Sequence, residues 1–209
     1  MDEVETMRPA TAPGLKKPNP IRQFVRTYLI ERTLWRIPRD ASVLDFCCGW
    51  GFYFTINPKA VGVDGDPDPI AYLRARGRDV RQVNVLEPLP FEDGRFSHVL
   101  AHDVLEHFEY HELERILDHI YRVLRPGGTF VVWVPNRKGF DFAIDNGHKL
   151  FVTAETIAAL IGDRFTVAKN YPEPFPRGLG SHFVHNKEVF ILRRNSAVSV
   201  SEPRSPVTA

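Results

Sequence analysis

Residues 42–51 read Ser-Val-Leu-Asp-Phe-Cys-Cys-Gly-Trp-Gly. A short apolar run suits a strand buried on both faces of a parallel sheet. Gly49 and Gly51 then let the backbone turn tightly and approach a ligand closely. Such a loop can serve several nucleotides, and its details separate them. A dinucleotide fingerprint needs a third glycine, where this chain has Phe54, and a phosphate loop needs Gly-Lys-Ser/Thr, which does not follow. Asp45 instead places an acid at the strand end. A carboxylate there repels a pyrophosphate and suits a ligand that carries a positive amino group.

Outward from this loop, strand-like and helix-like segments alternate. Apolar residues at Ile21, Phe24, Val25, Tyr28, Leu29 and Leu34 predict an amphipathic helix over 20–36. Strands are expected at 42–46, 60–63, 80–85, 96–101 and 129–134, and two last strands at 165–170 and 188–193. Asp66-Pro67 opens a helix as cap and first-turn proline, Ile70 and Leu73 give it an apolar face, and Gly77 ends it. Leu113, Ile116, Leu117, Ile120, Tyr121 and Leu124 form a clear amphipathic stripe that Pro126-Gly127-Gly128 stops. Thr153 caps a helix running to about Ile161. Nine residues, 52–60 with Pro58 among them, leave room only for a short or distorted helix after the glycine loop. The order implies an α/β fold: a mostly parallel seven-stranded sheet with helices on both faces and an antiparallel C-terminal edge hairpin. Ligands of such sheets sit beyond the carboxyl ends of the strands.

The motif Val43-Leu44-Asp45-Phe46-Cys47-Cys48-Gly49-Trp50-Gly51 resembles the first motif of the class I S-adenosylmethionine-dependent methyltransferases, roughly V-L-D-x-G-C-G-x-G, in particular the small-molecule branch called methyltransferase type 11. Cys47 stands where glycine is usual. Leu89-Pro90-Phe91-x-x-Gly94-x-Phe96 is similar to the L-P-F-x-x-x-x-F-D segment of that family, with Ser97 in place of the aspartate. Arg122-Val123-Leu124-Arg125-Pro126-Gly127-Gly128 matches its R-x-L-x-P-G-G turn. The matches cover roughly residues 40 to 136. The resemblance implies a Rossmann-like fold and S-adenosyl-L-methionine as cofactor. Asp45, Cys47, Gly49 and Gly51 would form the cofactor loop. Asp64, with Gly65 beside it, would accept the ribose hydroxyls. Asn84 would meet the adenine amino group through its side-chain oxygen and Val85 the ring through its backbone N–H, while His102 and Asp103 would lie beside the methionine end.

Methyl transfer is an in-line displacement that depends on holding the reactants close and aligned, and a hydroxyl acceptor also needs a base, a role for which histidine is suited. His148, in the segment after the fifth strand with Phe140, Phe142, Asp145 and Phe151, is the first candidate base or acceptor-orienting residue; His107 and His102 are the others. Asp103, Glu106 and His107 would share one face if 103–107 were helical. A similar constellation in some ubiquinone O-methyltransferases and small-RNA 3′-end methyltransferases holds a divalent cation, whereas many type 11 enzymes carry Leu-Glu-His without one; no metal is assigned. His119 and Tyr121 read as structural. Residues 172–185 (PEPFPRGLGSHFVH) form a loop whose Arg177, His182 and His185 could face an anionic or sugar-like substrate.

A net charge of +1 excludes a global field for nucleic acid or an anionic membrane. Two adjacent cysteines, Cys47 and Cys48, make neither a disulfide framework nor a structural zinc site. No apolar run is long enough to span a bilayer and the N-terminus lacks a signal-peptide layout, so a cytoplasmic monomer or homodimer is expected. Residues 1–18 and 195–209 are expected to be disordered around a methyltransferase domain at 19–194. The expected activity is methyl transfer to a small-molecule acceptor, with a hydroxyl oxygen as the target. A non-catalytic partner subunit of the same fold and a metal-using RNA methyltransferase are the alternatives, motivated by Cys47, Asn84 and Ser97 for the first and by Asp103-x-x-Glu106-His107 for the second. Near-zero charge and no basic appended domain count against nucleic acid.

Overall fold

The computed structural model describes residues 34, 37–135, 147–173 and 187–196. Seven strands form one sheet: β1 (Val43–Phe46), β2 (Val61–Asp64), β3 (Asp79–Gln82), β4 (Phe96–His102), β5 (Leu124–Pro135), β6 (Phe165–Glu173) and β7 (Lys187–Arg194). Among the described residues, the α-helices that accompany them are α1 (Pro67–Arg74), α2 (Tyr110–Val123) and α3 (Ala154–Ile161). The strand order is β3-β2-β1-β4-β5-β7-β6. The first five pair in parallel. β7 runs antiparallel to both β5 and β6. The C-terminal pair is therefore a hairpin with its later strand inserted against β5 and β6 left at the edge. The helix expected over 20–36 lies outside the described residues except for Leu34, which is buried.

Alternation along the strands builds two apolar faces. Leu44, Phe46, Val99, Ala101, Phe130 and Val132 belong to the larger core, which α2 and α3 cover with Leu113, Ile116, Leu117, Ile157 and Leu160. Val43, Leu100, Val131 and Trp133 point the other way, into a smaller core with Leu34, Ile70 and Leu73. A sheet covered on both sides must be apolar at both parities, which is why its strands read as continuous apolar runs. Each fully buried side chain of α2 contributes on the order of 2 kcal/mol by leaving water.

Local chemistry explains most element ends. The Asp66 carboxylate accepts from the Asp68 N–H at the start of α1, and the Thr153 hydroxyl accepts from the Thr156 N–H at the start of α3. Two of the boundaries that differ from the sequence reading have a clear local cause. β3 ends at Gln82 rather than 85, because the Asn84 side chain accepts from the Leu86 N–H and turns the chain. β5 begins directly after α2: Leu124 pairs with Phe96, the register then shifts, and Thr129 pairs with His98. Pro126-Gly127-Gly128 thus bulges within the strand instead of preceding it, with Gly127 at φ +70°. At the far end of the sheet, Asn195 accepts from the Thr166 hydroxyl and donates to the Asp163 carbonyl, so the packed chain extends through that residue.

Arg122 joins two of the motifs singled out above. Its guanidinium donates to the carbonyls of Leu89 (2.5 Å) and Phe91 (2.7 Å) and to Asp93 (2.8 Å). It ties the Leu-Pro-Phe turn to the end of α2. Hydrogen bonds from a charged donor are stronger than neutral ones. Arg122→Met should lower unfolding stability by about 2 kcal/mol, read as a fall in the denaturation midpoint, whereas Arg115→Met, on an exposed part of the same helix, should leave the midpoint unchanged.

Candidate active site

β1 leads into a loop whose conformation depends on three residues. Cys47, Gly49 and Gly51 all have φ in the left-handed region, at +54°, +48° and +81°. A Cβ on Gly51 would lie 2.4 Å from the Leu73 side chain and 3.0 Å from Phe54, so only glycine fits there against α1. Around Gly49, by contrast, the space is open, as close approach of a ligand to the backbone requires. The chain then enters a single 3-10 turn, Phe52–Thr55, the shortened helix expected from the spacing.

Asp64, at the end of β2, holds this loop. One carboxylate oxygen accepts from the Gly49 N–H at 2.8 Å and the other from the Asp66 N–H at 2.9 Å. A carboxylate offers about four acceptor positions, so two backbone bonds leave capacity for ribose hydroxyls. Asp45 is 6% exposed. Burial, and secondarily the charge of Asp64, push its carboxyl up to about 7. The same surroundings push both thiols up, so Cys47 and Cys48 are held as neutral, free cysteines.

Asp45 shares a face of the sheet with Val43 and lies beside Leu100 in the β1–β4 register. Asp45, Cys47, Gly49 and His102 line one cleft, with Trp50, Phe52, Tyr53 and Trp133 around them and Leu34 at its edge. The donor set fits the cofactor implied by the motif: a buried acid for a cationic centre, an open glycine backbone, aromatic walls, and Asp64 bonded to the loop from the neighbouring strand. Gly65 follows Asp64; a Cβ there would make only an ordinary contact with the Val83 carbonyl at 3.6 Å, so its place in the site does not require glycine. Asn84 and Val85 sit in the turn after β3, with Val85 buried. The Asn84 oxygen is engaged by the Leu86 N–H and retains one acceptor position.

The residues after β4 do not share a helix face. Asp103 has φ +54°, which no helix tolerates, and its N–H donates to the Trp133 carbonyl. Only Leu105–His107 form a 3-10 turn. The Asp103 carboxylate pairs with Lys187 of β7, and His102 Nδ1 lies 3.4 Å from the same oxygen. Glu106 and His107 group with His148: ligand-type atoms of the three lie within 4.8 Å of one another, and the His107 and His148 rings lie 4.9 Å apart. Lys187 and Trp133 were missed by sequence reasoning. Lys187 is 84 residues from Asp103, and Trp133 looks like any core residue of a strand. Phe140, Phe142, Asp145, Arg177, His182 and His185 lie outside the described residues. His119 bonds the Leu86 carbonyl and Tyr121 packs edge-on against Phe165, both structural as expected.

A doubly wound sheet with an acid-flanked glycine loop at its carboxyl ends defines a nucleoside-cofactor fold. Residues 44–132 match the family model described as a methyltransferase domain. A protein of Mycolicibacterium smegmatis, named "Probable S-adenosylmethionine-dependent methyltransferase", is 32% identical over 155 residues, covering 71% of this chain and 58% of the relative. The chain thus spans little more than half the length of that curated relative. Among solved structures, a SAM-dependent methyltransferase from Archaeoglobus fulgidus superposes with a TM-score of 0.68 at 19% identity, over 83% of this chain and 94% of the other. A protein from Pyrococcus horikoshii gives 0.66 at 20% identity, over 91% and 95%. Residues 44–132 thus carry a methyltransferase domain, and the chain is similar to S-adenosylmethionine-dependent methyltransferases in sequence and shares their fold, which implies S-adenosylmethionine as cofactor. No helix among the described residues is long and apolar enough to cross a membrane.

Two outcomes follow from the loop. A β-branched residue is poorly tolerated at positive φ, so Cys47→Val should cost about 2 kcal/mol while Cys47→Gly should stay near the parent, both read by thermal unfolding. The Asp45 carboxyl is raised from 3.8 to about 7 in the fold. The folded state therefore keeps a proton that the unfolded chain has released. This stabilising contribution is complete below about pH 4 and is lost as pH rises to about 7. Denaturant titrations across that window should show the slope, and Asp45→Asn should flatten it.

Proposed function

We propose that this chain transfers the methyl group of S-adenosylmethionine to a hydroxyl oxygen of a small-molecule acceptor. The observation that carries the reading is the cleft in which the buried Asp45 carboxyl and His102 line the same wall. The cofactor, when bound, supplies a methyl carbon on a positively charged sulfur. Asp45 binds its cationic centre, and the cationic ligand in turn favours the ionised carboxylate. Asp64 accepts the ribose hydroxyls and keeps the Gly49 backbone in place. Asn84 and Val85 border the adenine.

A hydroxyl acceptor bonding to that methyl carbon, with the carbon–sulfur bond breaking, would have to lose its proton to a base of this chain. We assign this role to His102. Its ring sits in the cleft, tilted against Trp133 and Phe52, and Asp103 lies at 3.4 Å to orient it. Lys187 holds Asp103 in turn. A base oriented by a carboxylate that is itself held in place is a recurrent catalytic arrangement. His148, the first candidate from the sequence, is buried against His107 rather than along the cleft wall, and the two are assigned to orienting the acceptor. Near-neutral charge of the whole chain supports a small acceptor over nucleic acid.

Calorimetric titration with S-adenosylmethionine tests the cofactor reading. Affinity should fall as pH drops below about 7, because Asp45 then takes up a proton. Asp64→Ala should weaken binding about tenfold or more, since it removes a charged hydrogen-bond acceptor. Undetectable binding at millimolar cofactor would overturn the assignment. Once an acceptor is found by screening hydroxylated metabolites, His102→Gln should lower kcat with little change in KM; a rise in KM alone would remove His102 as the base.

A further inference from the structure

The wall of the cleft is aromatic and carries little charge. Trp50, Phe52, Tyr53 and Trp133 all belong to its lining. Asp45 supplies the one carboxyl among the described lining residues, and no lysine or arginine is among them. Two of the rings pack on His102. The Phe52 centroid lies 6.4 Å from the imidazole and the Trp133 centroid 5.6 Å, at interplanar angles of 34° and 45°. A base must reach the hydroxyl that attacks the methyl carbon, so rings packed on His102 border the sulfur that carries it.

The chemistry of these rings is set from outside the cleft. The Trp133 indole N–H donates to the Glu173 carboxylate of β6 at 3.2 Å, and Glu173 is not among the lining residues. An aromatic ring is negative on its face and positive at its edge. With the N–H engaged by Glu173, Trp133 brings π surface to the cleft and no hydrogen-bond donor. Phe52 has no polar atom in its side chain. A sulfonium has no N–H or O–H to donate, so π faces and carboxylate charge are the groups that attract it. We propose that Phe52 and Trp133 make the cleft selective for the cationic cofactor over the neutral thioether left after transfer, by cation–π attraction for the positively charged sulfur.

This inference rests on the methyl-transfer reading of the cleft and gives it a direction. In the transfer the methyl goes to the acceptor oxygen, the acceptor proton goes to the base, and the electron pair of the broken carbon–sulfur bond stays on sulfur. The sulfonium becomes a thioether, while the adenosine and the amino-acid end are unchanged. Asp64 meets the same ribose hydroxyls in both forms. The rings lose their cation, so Phe52 and Trp133 favour exchange of spent for fresh cofactor. A cation–π contact in a poorly hydrated site is worth roughly ten- to thirtyfold in affinity. Asp45 attracts the cation in the same cleft, but it is retained in every ring variant, so substitution of the rings isolates their share.

The experiment is calorimetric titration of the full chain with S-adenosylmethionine and, separately, with S-adenosylhomocysteine, its demethylated thioether. The two differ only in the methyl group and the charge on sulfur. The parent should bind the sulfonium at least about tenfold more tightly. Phe52→Leu, at a half-buried position, should lower that ratio by about threefold or more and leave affinity for the thioether nearly unchanged. Phe52→Tyr, which keeps a ring, should keep the ratio. Trp133 is 2% exposed and truncation there would leave a cavity. It is probed instead by growth on fluorinated tryptophan, which withdraws π density with little change of shape. The sulfonium affinity should fall by about twofold or more while the thioether affinity holds. Equal affinity of the parent for the two ligands, or a ratio unchanged in Phe52→Leu or in the fluorinated protein, would overturn the proposal. Binding of neither ligand would remove the cofactor reading as well, so the two failures are told apart.

Discussion

The Asp64 carboxylate accepts the Gly49 N–H across the gap between β2 and the loop after β1. Most of the site depends on this bond. It fixes a backbone segment with two glycines and a cysteine at positive φ, a stretch that would otherwise have many conformations to lose on folding. It also brings the charge of Asp64 close to the buried Asp45. Burial and then the charge of Asp64 oppose ionisation of Asp45. The arrangement is unfavourable for the empty protein and favourable for one that holds a cation. In the proposed reading, the loop trades stability for affinity at the position where the cofactor is gripped.

The same trade recurs one strand over. Among the described residues, the non-glycine positions with positive φ are Cys47 and Asp103. They sit just past β1 and at the end of β4, neighbouring parallel strands. Left-handed backbone at such residues costs on the order of 1–3 kcal/mol and persists where surrounding contacts over-determine it. At Asp103 those contacts are the Trp133 carbonyl behind the N–H and Lys187 on the side chain. The turn they enforce sends Asp103 toward His102, while Glu106 and His107 lie beside His148. One backbone angle therefore separates the residues after β4 into two groups with different chemistry.

The glycine loop, the acids at the ends of β1 and β2, the short 3-10 turn after the loop and the capped starts of α1 and α3 were all legible in the chain, because each rests on contacts between residues close in sequence. Nine residues that include Pro58 and must also supply the connections at both ends leave room only for a short helix, and Asp66-Pro67 favours the start of one. Boundaries failed where a tertiary contact or a side-chain bond competed with the pattern. β3 stops early because Asn84 turns the chain, and β5 starts early because Leu124 finds Phe96 as a partner before the glycines are passed.

Sequence alone determined the alternating α/β order and the glycine loop after the first strand, since apolar periodicity and glycine placement are local physical requirements. It also supplied every histidine and carboxylate used in the site. What it could not assign was their grouping. Asp103, Glu106 and His107 look like one constellation when a helix is assumed. The fold splits them, giving Asp103 to Lys187 and Glu106 and His107 to His148. Those partnerships span tens of residues and arise because β7 inserts beside β5 and the segment before α3 bonds the Glu106 carbonyl. Long-range pairing of this kind leaves no period in a chain; it is decided only when the two faces of the sheet are packed.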